Sequence, residues 1–160
     1  MKSPSLLTTL VLTASGAWPA DHQVAVRFQA MVDSEKLACD KTYTGIGTTK
    51  STLLPRDFRF YVHNVALIDD SGRSVPVEFT QDGKWQLDDV APLDFEDATG
   101  GIVNGTPDTN DRVVAMVPAG HYIGPRFTLG VPFNTAHTDL TIMPPPFESR
   151  GAELGVEIGA

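Results

Sequence analysis

Cysteine is nearly missing from this chain: Cys39 stands alone among 160 residues. No Cys-x-x-Cys motif can therefore occur, and Cys39 has no partner of its own kind within the chain. It reads as a buried thiol, with a metal ligand or a disulfide to a second chain as the other uses of a lone cysteine in an oxidising compartment. Basic residues are also scarce. Lys and Arg number 12 against 20 Asp and Glu, a net charge of −8. Such a surface repels nucleic acid and anionic membranes and draws cations or a basic protein. Long helical periodicity is absent while Gly and Pro are plentiful, which points to β structure. No phosphate-binding loop, dinucleotide fingerprint or G-x-S-x-G is present. Asp94 and Glu96 in LDFED form a carboxylate pair with no second group facing them, so the chain reads as something other than an enzyme.

The first 20 residues have the pattern of a secretory signal: Lys2, an apolar and small-residue stretch from Leu6 to Ala17, then small residues at Ser15, Ala17 and Ala20. The apolar run is too short to span a bilayer. Cleavage fits after Ala17 or after Ala20, and the mature chain is expected in the periplasm or outside the cell. Residues 21–147 read as one β domain, with neither internal repeat nor domain boundary. Residues 148–160, behind Pro144-Pro145-Pro146, have little that could pack in a sheet and read as an atypical, disordered tail.

Within the domain, apolar residues alternate over 24–32, and a hydrophobic run covers 57–68 before the turn Asp69-Asp70-Ser71-Gly72. Val75, Val77 and Phe79 suggest another strand. Gln81-Asp82-Gly83 suggests a hairpin leading to Trp85 and Leu87. Residues 33–55 and 98–110 read as irregular connections, and 112–117 and 122–129 as the last strands, separated by Pro118-Ala119-Gly120. This spacing predicts an all-β fold, an antiparallel β-sandwich or open barrel with long loops, with 57–68 at its centre.

That central stretch, DFRFYVHNV, also carries the chemistry. Side chains alternate along a strand, so Phe58, Phe60 and Val62 share one face and Arg59, Tyr61 and His63 the other. Tyr61 and His63 stand side by side on a rigid element, a geometry that suits a metal ligand and equally suits a half-buried strand with a wet face.

The order of F-x-A, LAC, TYTGIGTT, DFRFYVHNV, DGKWQ, LDFED, NGTPDTN and VPAGHYIGPRFTLGVPF followed by a histidine resembles the MbnP family of periplasmic copper-associated proteins. These are related in their core to the copper proteins CorA and MopE and act with the di-haem protein MbnH. The resemblance covers nearly all of residues 24–147. It implies copper, as Cu(I) or Cu(II), with His63 as a ligand and an MbnH-like partner. The family's Trp-x-His reads Tyr61-Val62-His63 here, and tyrosine cannot become the kynurenine that the partner makes from that tryptophan. The histidine after GVPF matches His137, the second ligand, although the preceding residue is Ala136 where the family commonly has Asn. A third donor would come from His121, His22, Met143 or Asp139, of which His121 also reads as a solvated turn residue. The family's partner for Cys39 falls at Ile102, which leaves that disulfide out. The family also continues past the proline-rich stretch into a region that this chain lacks.

Two classes of function follow: a secreted copper-binding protein for copper acquisition or handling, or a secreted interaction module whose Trp85 and Tyr122 face a protein or glycan.

Overall fold

The computed structural model describes residues 21–99, 105–139 and 143–147. Its strands are β1 (Asp21–Arg27), β2 (Met31–Val32), β3 (Glu35–Lys36), β4 (Tyr43–Ile46), β5 (Ser51–Leu53), β6 (Arg59–Asp69), β7 (Ser74–Pro76), β8 (Glu78–Phe79), β9 (Val90–Asp94), β10 (Arg112–Pro118) and β11 (Tyr122–Leu129), followed by the short helix α1 (Phe133–Ala136). Every strand pairing is antiparallel. The expected all-β class and the central place of β6 are both observed.

β6 is central because both of its edges are used. β11 lies along one edge, while β9 and β7 follow one another along the other, pairing Arg59–His63 and Ala66–Ile68 respectively. The second sheet has the order β1-β10-β8. Val62 and Val65 of β6, Ala91 and Leu93 of β9, Phe79 of β8, and Val113 and Ala115 of β10 meet in one buried cluster. The two sheets thus pack face to face as a sandwich. Each fully buried valine or leucine contributes about 1.5–3 kcal/mol relative to exposure, so this cluster is a substantial source of the domain's stability.

Strict alternation would send Val62 and Val65 to opposite faces, yet both are buried in the core. The reason is a bulge. Asn64 has φ 52°, and β6 advances from His63 to Ala66 while β11 advances only from Thr128 to Arg126. One extra residue resets the alternation, so the Tyr61/His63 face ends at the bulge.

Several expected elements take another form. The strand expected over 24–32 starts at Asp21 and stops at Arg27, and Met31–Val32 pairs instead with Glu35–Lys36. Residues 33–55, expected to be irregular, hold the small pairings β2–β3 and β4–β5. The run through Val75, Val77 and Phe79 is split: β7 pairs with β6, whereas β8 crosses to β10. The switch falls after Val77, whose N–H still donates to the Val65 carbonyl of β6 at 3.2 Å. The hairpin at Gln81-Asp82-Gly83 does not form. The Asp82 carboxylate accepts the backbone N–H groups of Lys84, Trp85 and Gln86, which coils the chain there, and Leu87 makes an isolated bridge with Val90. The leader, residue 102 and the tail lie outside the described residues.

Candidate metal centre

Tyr61 and His63 project from the face of β6 opposite Val62, as the alternation requires, with Val62 fully buried between them. Register places Tyr61 opposite Pro92, and His63 between Val90 of β9 and Thr128 of β11. The Tyr61 ring lies parallel to the buried Phe147 ring, with centroids 5.5 Å apart and planes 9° from parallel. A segment from beyond β11 therefore covers this part of the sheet. His63 Nδ1 bonds the Gly130 carbonyl oxygen at 2.9 Å. A carbonyl can only accept, so Nδ1 carries the proton, and in the neutral ring Nε2 then keeps its lone pair, the arrangement in which an imidazole binds a metal.

His137 caps the C-terminal end of α1 and is exposed. Its ring lies against Phe133, with centroids 4.0 Å apart, and its Nδ1 donates to the Phe133 carbonyl at 2.7 Å. His137 is thus held in the same tautomer as His63, again through a main-chain carbonyl. Phe133 is three residues past Gly130, at most about 11 Å along the chain. The carbonyls that fix the two imidazoles belong to one short stretch leaving β11.

The other candidate donors are distributed differently. Tyr122, next to His121, pairs with Asp69 at the far end of β6, six residues or about 20 Å from His63 by strand rise. His22 pairs with Val117 in the other sheet, beside the same β10–β11 turn as His121. Neither joins His63. Met143 is half-buried in the segment that brings Phe147 over Tyr61, and Asp139 is exposed two residues beyond His137. Among the described residues no group of three or more His, Cys, Asp or Glu stands close enough to hold a metal ion. What the structure does provide is two imidazoles with Nε2 available, a donor type that suits copper, zinc or nickel better than calcium or magnesium.

Cys39 is buried and free. Burial pushes its thiol up to about 11, and the nearby carboxylates of Glu96, Asp97, Asp57 and Asp40 push the same way. A thiol so strongly held in its protonated form is a poor metal ligand. The LDFED carboxylates are interior groups as well. The Asp94 carboxylate accepts the Glu96 N–H at 3.0 Å, and burial, the largest cause, raises its pKa to about 6. Glu96 has no exposed surface, and one of its oxygens accepts the Ala98 N–H while the other lacks a hydrogen-bond partner. Gly105 makes room for it, because a Cβ there would overlap the carboxylate. The pair was visible in the sequence; its burial was not, since acidic residues at strand ends are common.

Trp85 is half-buried with Lys84 Nζ 5.0 Å from its ring, and the Tyr122 hydroxyl donates to the Pro118 carbonyl at 2.6 Å. Large apolar exposure lies elsewhere, at Ile123, Phe127 and Leu129 of β11 and at Phe133 of α1. Sequence reasoning missed Gly130, although a glycine at the end of a strand is a standing signal for unusual backbone geometry.

Fold and site together define an antiparallel β-sandwich with one tautomer-fixed imidazole on its central strand and another at the end of the short helix that follows β11. The chain belongs to the MbnP family, whose model, described as MbnP, matches residues 21–151. A solved structure, MbnP from Methylosinus trichosporium, is similar to it with a TM-score of 0.65 and 30% identity, over 80% of this chain and 48% of that one. The chain thus spans about half the length of that relative. No match was found among curated protein sequences.

Proposed function

We propose that this protein is a secreted or periplasmic copper-handling protein, a binder rather than an enzyme, that holds a copper ion through His63 and His137. The observation that carries this reading is the shared state of the two imidazoles: each gives its Nδ1 proton to a main-chain carbonyl and keeps Nε2 for a metal. The net charge of −8 favours the approach of a cation. Metal analysis of the purified protein tests it. About one copper per chain is expected, and His63→Ala or His137→Ala should weaken binding at least about tenfold, roughly 1.4 kcal/mol. If wild type and His63→Ala retain copper equally, a second reading takes over. It is an interaction module, favoured by the apolar side chains that β11 and α1 leave exposed.

Tyr61 occupies the position of the family's oxidisable tryptophan, and an MbnH-like di-haem protein is the proposed partner. Tyr61→Trp, incubated with such a partner and its oxidant, should show at residue 61 the mass change that converts tryptophan to kynurenine. A Tyr61→Trp protein left unmodified under conditions that convert a tryptophan-bearing family member would remove that partner from the proposal.

A further inference from the structure

β11 leaves its ladder in an unusual way. Leu129 is still opposite Val62, and the next residue, Gly130, has φ 104°. In this conformation the Gly130 N–H donates to the Tyr61 carbonyl at 2.7 Å while its own carbonyl accepts the proton of His63 Nδ1 at 2.9 Å. A single residue is therefore bonded to the main chain of one site residue and to the side chain of the other. A φ this far into positive values is open to glycine and strained for residues with a side chain. Space is not what requires glycine here. A Cβ at residue 130 would meet nothing within 4 Å.

We propose that Gly130 is the positioning residue of the His63 site: its backbone locks the imidazole as the Nδ1–H tautomer and so fixes Nε2 as the nitrogen offered to a metal. Free imidazole side chains favour the other tautomer, with the proton on Nε2, and that nitrogen is then no longer a ligand until the proton moves. Gly130 removes this competition before any ion arrives, and its second bond, to Tyr61, keeps the carbonyl from swinging away. The identity of the ion rests on the copper reading above; the lock itself does not.

Because a side chain at 130 fits sterically, Gly130→Ala acts through backbone strain alone. The residue pairs of β11 with β6, from Tyr122 to Leu129, do not include residue 130, so the variant is expected to fold. Nitrogen-15 NMR of the imidazoles, recorded without metal above about pH 8 where an ordinary histidine is neutral, reads the tautomer directly. Wild type should show His63 with the proton on Nδ1, and Gly130→Ala should move it toward Nε2. Titration with Cu(II) alone should show affinity lowered about tenfold or more in the variant, the usual effect of losing a hydrogen-bond partner behind a ligand.

A wild-type His63 protonated on Nε2, or a tautomer unchanged in Gly130→Ala, would overturn the proposal. If Gly130→Ala does not fold, the wild-type tautomer still decides. A wild-type His63 locked on Nδ1–H in a protein that takes up no copper would sink the copper reading and leave the lock standing.

Discussion

Asp94 shows what burial does to an acidic residue at the end of a strand. Its carboxyl lies in the core and shares the field of Glu96 and Asp57, and the Arg59 guanidinium that would compensate it is already bonded to Asp57. The unfolded chain releases this proton near 3.8 and the folded chain near 6. A raised carboxylate pKa stabilises the fold fully below the unfolded value, and that contribution is lost as pH rises through the folded value. Stability should therefore fall between about pH 4 and pH 6 on account of this residue. Asp94→Asn keeps an acceptor for the Glu96 N–H and never charges. At pH 7 it should be more stable than wild type by up to roughly 3 kcal/mol, and near pH 3.5 about equal to it. Urea unfolding at the two pH values measures both, and a variant less stable than wild type at pH 7 would show that the Asp94 charge is well compensated after all.

At the scale of elements, β6 could be read from the sequence because one face carries apolar residues and the other Tyr and His, the period-2 pattern of a half-buried strand. Tyr61 and His63 were legible for the same reason. His137 came from its place after GVPF, and periodicity alone would have passed over it. What remained hidden was held by side chains and by special backbone angles. Asp82 replaces a hairpin with a capped coil, Pro92 sits inside β9 where a proline argues against a strand, and Gly130 acts only through φ. The bulge at Asn64 belongs to this group and yields a test. Asn64 has φ 52° and is exposed, so Asn64→Gly should leave stability nearly unchanged, whereas Asn64→Val should lower it by about 1–2 kcal/mol through backbone strain. Equal unfolding midpoints for the Gly and Val variants would mean that the positive φ is not required, and with it the account of how Val62 and Val65 both reach the core would fall.

For the whole molecule, the sandwich and the leader make one joint expectation. β1 begins at Asp21 and pairs residue by residue with β10, from Asp21 opposite Pro118 to Arg27 opposite Arg112. The strand is an edge of its sheet, and Val26 packs against the buried cluster. Removal of everything before Asp21 leaves this ladder whole, which is what a cleavable secretion signal must do if the mature protein is to fold after export. Among the described residues no helix is long and apolar enough to cross a membrane. The leader pattern predicts exported protein with an intact mass that starts at Trp18 or Asp21, and exported protein that still includes Met1 to Ala17 would refute the leader. Chains expressed from Trp18 and from Asp21 should unfold at the same urea concentration. A chain starting at Arg27 loses most of the β1–β10 ladder and the contact of Val26 with the core, and should unfold at clearly lower urea. If it does not, β1 contributes little, and the position of the cleavage site is not set by the needs of the fold.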